Sequence, residues 1–189
     1  MHAEIEAKLK VDSLAEVERR LGAVGASFVR ETIQRDIYFD TPDRALTDAD
    51  RCLRLRSERI DGRARLVLAY KGAKEPDDYK KRREIELEVN DAAAVELLLN
   101  ELGYRKALAF DKKRRTWVLY GCEVALDELP LLGTFVEIEG PDSHAIARVQ
   151  EILGLSRTPH TRDSYASLIA RELSRQGQGR REVYLQDDE

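Results

Sequence analysis

Three charged side chains alternate with apolar residues near the start of the chain, and their spacing could form half of an ion-binding site. Glu4, Glu6 and Lys8 are each separated by one apolar residue, which is the period of a β-strand with one charged and one apolar face. A strand rises about 3.3 Å per residue, so the two carboxylates point the same way roughly 6.6 Å apart. This face could be a solvated surface, or it could bind a divalent cation together with an anion.

The same alternation recurs along the chain, with acidic and basic side chains sorted onto different strands. An antiparallel sheet with helices on one face and water on the other would also alternate in this way, so a solvated charged face is one interpretation. Against it, neutral polar residues are almost absent from these faces. The acidic pairs are Glu4/Glu6, Glu84/Glu86 and Glu137/Glu139, and the basic positions are Arg54/Arg56, Lys112/Arg114 and Lys71.

Helix and turn signals separate these strands. Ser13 and Glu16 have capping-box spacing and predict the start of a helix. Asp61-Gly62 is typical of a hairpin turn, and Gly72–Asp78 is a polar stretch expected to form a loop. The predicted helices cover residues 14–24, 91–102, 143–153 and 163–173, and the predicted strands cover residues 3–11, 27–39, 52–56, 65–71, 83–89, 112–116, 123–126 and 135–139.

About eight strands and four or five helices indicate an α+β fold. A weak repeat relates Leu9-Lys10-Val11-Asp12 to Leu87-Glu88-Val89-Asn90, 78 residues further on. We therefore expect one domain over residues 1–175, built from two related halves of about 1–82 and 83–175. Residues 176–189 are expected to form a mobile C-terminal tail.

The composition excludes several classes of protein. The chain of 189 residues has 32 basic and 36 acidic side chains and a net charge of −4, which lacks the basic excess of a nucleic-acid-binding protein. No apolar run approaches the ~18 residues of a membrane span, and no signal-peptide pattern opens the chain. Cys52 and Cys122 have no metal-site spacing and are expected to be reduced thiols. These features predict a cytoplasmic protein.

A closed barrel would explain the sorted charges. The predicted helices carry enough apolar surface to cover the apolar faces, and a sheet of about eight strands can close around a small cavity. Unpaired charges inside it would be too costly unless a ligand compensated them. Arginine pairs suit phosphate groups, and carboxylates suit Mg²⁺ or Mn²⁺. A triphosphate with one or two of these ions fits this set of side chains best.

The ordered motifs resemble those of the CYTH superfamily, the triphosphate tunnel metalloenzymes, and within it the class IV adenylyl cyclase branch. This resemblance implies a closed eight-stranded antiparallel β-barrel with a charged interior and helices packed outside, divalent-metal dependence and a triphosphate substrate. The motifs are Glu4-x-Glu6-x-Lys8, Arg54-x-Arg56, Tyr70-Lys71-Gly72, Arg83-Glu84-x-Glu86 and Phe135-Val136-Glu137-Ile138-Glu139.

The resemblance also implies roles for individual residues. The implied metal ligands are Glu4, Glu6, Glu137 and Glu139, with Glu86 and Asp127 joining or supporting a second metal. The implied phosphate-binding residues are Lys8, Arg54, Arg56, Lys71, Lys112 and Arg114.

Lys8, Tyr38 and Lys112 are the candidate catalytic residues. Some family triphosphatases use a tyrosine and a lysine to orient the attacking water, and Tyr38 and Lys112 are at similar positions, although Tyr38 could simply be a packed aromatic. Other charged side chains have simpler interpretations. For Glu84 and Glu88, the simpler interpretation is that they balance the charge of nearby arginines. We expect solvated side chains at the ends of the tunnel for Lys10, Arg65 and Arg82. We expect the side chains of Lys113 and Arg115 to lie outside the barrel.

Three activities are compatible with this site. In a cyclase, the ribose 3′-hydroxyl of ATP attacks the α-phosphorus and pyrophosphate leaves; this is the favoured interpretation. In a triphosphatase, water attacks the γ-phosphorus of inorganic triphosphate, thiamine triphosphate or a nucleoside triphosphate. A non-catalytic sensor of polyphosphate or nucleotide is the third. The sequence leaves open whether the protein forms a homodimer, and it shows no evident adenine pocket.

Overall fold

The structure of the protein is a computed structural model that describes residues 3–60, 63–75, 80–177 and 179–185; for Ala3, Glu4 and Lys80 it describes the backbone alone. The described part contains nine strands and five helices. The strands are β1 Ala3–Lys10, β2 Ser27–Asp40, β3 Cys52–Ile60, β4 Arg63–Lys74, β5 Lys80–Val89, β6 Arg105–Leu119, β7 Cys122–Leu129, β8 Gly133–Glu139 and β9 Glu182–Val183. The helices are α1 Leu14–Ala23, α2 Ala45–Asp48, α3 Ala92–Glu101, α4 Ser143–Ile152 and α5 Tyr165–Arg175.

The first eight strands close into a barrel. Their order is β2-β3-β4-β5-β1-β8-β7-β6, and β2 pairs with β6 to complete the ring. All eight pairings are antiparallel, whereas β9 adds to β6 in parallel. The predicted α+β class and closed eight-stranded antiparallel barrel are therefore confirmed.

Helices cover two apolar clusters on the outer face of the barrel. Ala7 and Leu9 of β1 belong to a buried cluster with Leu21 of α1 and Val149 of α4, and a second cluster packs α3 against β2 and β3. A third cluster packs α5 against inward-facing residues of β6 and β8, since Phe110 and Phe135 lie on the same strand faces as the charged side chains that follow two residues later. Because successive side chains of a strand point to opposite faces, covering the apolar face turns Glu6 and Lys8 toward the barrel interior.

Capping side chains start four of the helices, and Ser13 does so at the position that the sequence predicts. The side chain of Ser13 accepts a hydrogen bond from the backbone N–H of Glu16, and Asp91, Asp142 and Ser164 accept similar bonds at the starts of α3, α4 and α5. Each bond satisfies an N–H that has no partner within the helix.

Within the described residues, none of the helices has both the length and the apolar character needed to span a membrane.

Several elements differ from the sequence-based expectations. Residues 72–74, expected in a loop, extend β4 to Lys74, and β6 is much longer than residues 112–116 because it pairs with β2 along its length. The helix α2 and the strand β9 were not predicted. The hairpin at Asp61-Gly62 and the rest of the predicted loop, residues 76–78, lie outside the described residues.

The C-terminal segment is partly placed against the barrel. Val183 of β9 is buried, and the backbone N–H of Ala109 donates to the carbonyl of Arg181 at 2.8 Å. Gln178 and residues 186–189 lie outside the described part. The mobility of the tail and the division of the domain into two halves stay predictions.

We expect Ile138→Ala to destabilise the fold because Ile138 is fully buried between β8 and the outer helices. Large-to-small substitutions at such sites cost about 2–5 kcal/mol in the free energy of unfolding. Urea denaturation measures this loss. The control is Ile33→Ala on β2, where the side chain is 59% exposed and a change within about 0.5 kcal/mol is expected. Equal losses in the two variants would contradict the assignment of the outer core.

Candidate functional site

A cavity of about 950 Å³ lies inside the barrel and is lined by charged side chains from all eight strands. It brings together every predicted site residue except two. The side chain of Glu4 lies outside the described part, and Asp127 is fully buried behind the cavity wall. The predicted residues that line the cavity are Glu6, Lys8, Tyr38, Arg54, Arg56, Lys71, Glu86, Lys112, Arg114, Glu137 and Glu139.

Carboxylates gather where β1, β8 and β7 run side by side. Glu6 is the cross-strand partner of Glu139, and Glu139 is that of Glu123. Such partners have Cβ atoms about 4.5–5.5 Å apart, and like charges at that distance repel. Glu123 was not among the predicted site residues, although its alternation with the outward-facing Val124 and Leu126 places it on the same face as Asp127. The row of carboxylates is therefore suited to a cation.

The chemistry of this donor set fits a hard divalent cation. Among the described residues, no three His, Cys, Asp or Glu side chains form a ready metal-binding group. Mg²⁺, however, is usually held by only one or two carboxylates, with waters and phosphate oxygens completing its six ligands. Glu6, Glu137 and Glu139 supply oxygen ligands of this kind on two adjacent strands. Glu86 lies on β5 with a half-exposed side chain.

Lys8 lies among these carboxylates and is almost completely buried. Its Nζ is 3.2 Å from Glu137 Oε1 and 3.6 Å from Glu6 Oε1. The same Nζ donates to the backbone carbonyl of Asp163 at 3.0 Å, just before α5. The ammonium group is therefore held between two strands and a helix.

Arg114 is fixed by a fully buried carboxylate. Its Nε and Nη2 donate to the two oxygens of Asp127 at 2.7 and 2.6 Å, and its Nη2 also contacts Glu137. Asp127 accepts a further hydrogen bond from the Tyr165 hydroxyl at 2.9 Å, and Lys112 Nζ lies 3.5 Å away. These contacts make Asp127 the support of Arg114, whereas its role at a second metal stays a prediction.

Lys112 lies in a dry and positively charged part of the cavity wall. Burial, together with the positive charge of Arg114, lowers the pKa of Lys112 to about 7 although Asp127 opposes this shift. An anion placed beside Lys112 would favour its charged form.

Arg56 is held by Asp36, a second buried carboxylate that the sequence analysis did not single out. Arg56 Nε and Nη2 each donate to an Asp36 oxygen at 2.7 Å. Burial by itself raises the pKa of Asp36, but the positive charges of Arg56 and Arg54 outweigh burial and hold that pKa well below its usual value. Asp36 is therefore an anion that positions Arg56.

Two buried guanidinium groups retain N–H groups without acceptors. The Nε atoms of Arg54 and Arg82 have no hydrogen-bond partner within the described residues, although both side chains line the cavity. A buried donor without an acceptor is costly, so these atoms fit an anionic ligand. The expectation that Arg82 is a solvated end was wrong: the side chain is buried and lies 3.4 Å from Asp50.

The two residues of the predicted tyrosine–lysine pair start from different positions along the barrel wall. On β2 and β6, Tyr38 is the cross-strand partner of Leu108, whereas Lys112 is that of Gln34. Four residues along a strand separate these positions by roughly 13 Å. Tyr38 instead stacks on Phe110 with ring centroids 5.5 Å apart, and burial raises its pKa. This packing agrees with the simpler interpretation of Tyr38 as a packed aromatic.

Other charged side chains balance one another. Lys71 Nζ lies 2.9 Å from Glu84, and Arg65 lies 2.7 Å from Glu88, which agrees with charge balance for the two glutamates. Outside the barrel, Arg115 contacts Glu18 of α1, and Lys113 lies 3.3 Å from Glu31. The prediction that Lys113 and Arg115 lie outside is confirmed.

The sequence matches the CYTH domain over residues 2–165. The protein belongs to the CYTH family. It is 28% identical over 181 residues to the adenylate cyclase CyaB of Aeromonas hydrophila, which covers 90% of this chain and 91% of that protein. Membership confirms the resemblance drawn from the motifs.

Solved structures of CYTH-like proteins share the barrel. The PH1819 protein from Pyrococcus horikoshii OT3 matches with a TM-score of 0.79 and 31% identity, over 89% of this chain and 99% of that chain. HpAC1 from Hippeastrum, which is described as having a dominant triphosphatase activity, matches with a TM-score of 0.67 and 17% identity over 93% of this chain and 96% of that chain. At that identity the second likeness concerns the fold alone.

We expect Asp36→Asn to destabilise the protein at pH 7 by about 3–5 kcal/mol because it leaves Arg56 buried without its anion. The depressed pKa of Asp36 means that its contribution is fully present above the unfolded pKa of about 3.9 and decreases as the pH falls below that value. Urea denaturation between pH 7 and pH 3 measures the difference between the two proteins, which should shrink below about pH 4. A difference that stays constant across this range would contradict the assignment.

Proposed function

We propose that this protein is a divalent-metal-dependent enzyme that binds a triphosphate inside the barrel and converts ATP to cyclic AMP and pyrophosphate. The observation that carries the proposal is one cavity that holds six predicted phosphate-binding side chains, two unsatisfied guanidinium N–H groups and a row of carboxylates. A triphosphate with its metal supplies the charges and acceptors that this wall lacks.

The phosphate-binding side chains suit a polyanion in both charge and geometry. Arg54 and Arg56 lie on one strand with the same face inward, and a guanidinium presents planar N–H groups that match phosphate oxygens. Lys8 and Lys112 add compact ammonium groups near the carboxylates. Charge neutralisation and positioning are the main requirements of phosphoryl chemistry.

The carboxylates of β1 and β8 would hold the metal. Glu6, Glu137 and Glu139 would provide its oxygen ligands, whereas the roles of Glu4 and Glu86 stay predictions because Glu86 lies six residues along β5 from the partner of Glu6. When bound, Mg²⁺ or Mn²⁺ neutralises phosphate charge and lowers the pKa of an attacking hydroxyl. The protein would orient the phosphates so that the 3′-hydroxyl loses its proton to water as its oxygen bonds to the α-phosphorus, while the bond between the α-phosphorus and the oxygen of the leaving pyrophosphate breaks.

Two observations support cyclisation over hydrolysis. A relative named adenylate cyclase aligns with 90% of this chain. The backbone positions of Tyr38 and Lys112, the candidates for the tyrosine–lysine pair of some family triphosphatases, lie four residues apart along the barrel wall. Hydrolysis of inorganic triphosphate, thiamine triphosphate or a nucleoside triphosphate is the second candidate, because positioning groups of the same kind serve both reactions.

Product analysis distinguishes the candidates. The purified protein is incubated with Mg²⁺ or Mn²⁺ and either ATP or inorganic triphosphate, and the products are separated by anion-exchange chromatography. Cyclic AMP with an equal amount of pyrophosphate is expected from ATP. Orthophosphate alone would replace the cyclase assignment with a triphosphatase, and tight binding without turnover would indicate a sensor.

We expect Glu6→Gln and Glu137→Gln each to reduce turnover at least ~100-fold, because each removes a charged ligand of the metal. Both changes keep the shape of the side chain, so circular dichroism should show a folded barrel. The matched control is Glu31→Gln, which removes one carboxylate from the outer face of β2 and should leave turnover unchanged. Full activity in both interior variants would refute the metal assignment.

A further inference from the structure

Two lysines of the cavity share the ring of one buried tyrosine. Lys8 Nζ lies 4.1 Å and Lys112 Nζ 5.2 Å from the ring centroid of Tyr165. The two ammonium groups come from β1 and β6, on different parts of the barrel wall. An aromatic face attracts cations, and the attraction is stronger where water is excluded. The ring therefore brings together two positive charges that would otherwise repel.

The hydroxyl of Tyr165 contacts Asp127, the carboxylate that holds a third cation, Arg114. It donates to Asp127 Oδ2 at 2.9 Å, and Asp127 in turn accepts both N–H groups of Arg114. Asp127 is fully buried, so its orientation is set by these donors. One side chain thus touches the lysine pair through its ring and Arg114 indirectly through its hydroxyl.

The surrounding structure holds Tyr165 in place. Ser164 caps α5 by accepting from the backbone N–H of Ser167 at 3.1 Å. The ring of Phe135 packs edge-on against Tyr165 with centroids 5.3 Å apart. Ile169, on the same face of α5, is fully buried. The tyrosine therefore enters the site on a rigid helix end.

We propose that Tyr165 is a positioning residue for triphosphate binding, which acts on the lysine pair through its ring and on Arg114 through Asp127. The inference rests on the proposed function only in naming the ligand. It makes the first turn of α5 part of the active site, in addition to the strands that carry the charged motifs. A tyrosine that served only the apolar core would be replaceable by any apolar side chain of similar bulk.

Two substitutions separate the ring from the hydroxyl. Tyr165→Phe keeps the ring and removes only the hydroxyl, whereas Tyr165→Leu removes both. Calorimetry with inorganic triphosphate in the presence of EDTA measures affinity under conditions in which metal-dependent turnover cannot occur. We expect about a tenfold weaker affinity for the phenylalanine variant, the scale of one lost hydrogen bond, and at least a ~100-fold weaker affinity for the leucine variant.

A matched control tests a tyrosine with a similar cation contact outside the cavity. Tyr120 is exposed, and the guanidinium carbon of Arg148 lies 4.7 Å from its ring centroid. Tyr120→Leu should leave triphosphate affinity within twofold of the unsubstituted protein. Thermal unfolding of every variant is recorded, and affinities are compared at a temperature where all are folded. If Tyr165→Leu does not fold, Tyr165→Met takes its place as the non-aromatic variant.

A spectroscopic measurement tests the ring contact independently of any ligand. Because the Nζ atom of each lysine lies over the ring of Tyr165, the protons of the adjacent ε-methylene groups should be shifted upfield in the ¹³C-resolved NMR spectrum. The shift should persist in the phenylalanine variant and disappear in the non-aromatic one. Its absence from the unsubstituted protein would overturn the positioning role, as would non-aromatic variants that bind triphosphate within twofold of it.

These measurements keep the two proposals apart. A protein that binds triphosphate through Tyr165 but makes no cyclic AMP would overturn only the cyclase assignment. A protein that makes cyclic AMP equally well with leucine, methionine or tyrosine at position 165 would overturn only the positioning role.

Discussion

Charged side chains can line the inside of a barrel only if each charge is compensated close by, and this constraint governs the structure. Arg56 has Asp36, Arg114 has Asp127, and Lys71 has Glu84, each within hydrogen-bond distance. Removing one member of such a pair leaves a buried charge whose desolvation cost is not offset by any ion pair. The fold therefore maintains a network of opposite charges around a cavity, and the unsatisfied N–H groups of Arg54 and Arg82 mark where that network is incomplete.

The incomplete part of the network is also where the proposed ligand would bind. Carboxylates that repel one another on β1, β8 and β7 face the same cavity as the cations. A triphosphate with its metal would satisfy both sets at once, because the metal neutralises the acidic row and the phosphates accept from the cations. The wall therefore complements the charges of a metal–triphosphate complex, while the buried ion pairs compensate the remaining charges.

Much of this arrangement could be predicted from alternation, and the exceptions have identifiable causes. Period-two patterns showed which charged side chains of β1, β3, β5 and β8 share a face, because strand geometry alone determines this. Asp36 and Glu123 have the same signal but were passed over, since each stands without a second acid at the next inward position. Tyr165 has no sequence signal at all, because a tyrosine on an amphipathic helix is indistinguishable from a core residue.

The sequence by itself determined the strands, the helix starts and the division of each strand into a charged and an apolar face, because these depend on neighbours a few residues apart. Only the tertiary structure decided that the charged faces turn inward, that Glu6, Glu139 and Glu123 lie side by side, and that Tyr38 is separated from Lys112. It also brought the carbonyl of Asp163 to Lys8 across 155 residues. Such contacts depend on strand register and on closure of the barrel, which local patterns do not encode.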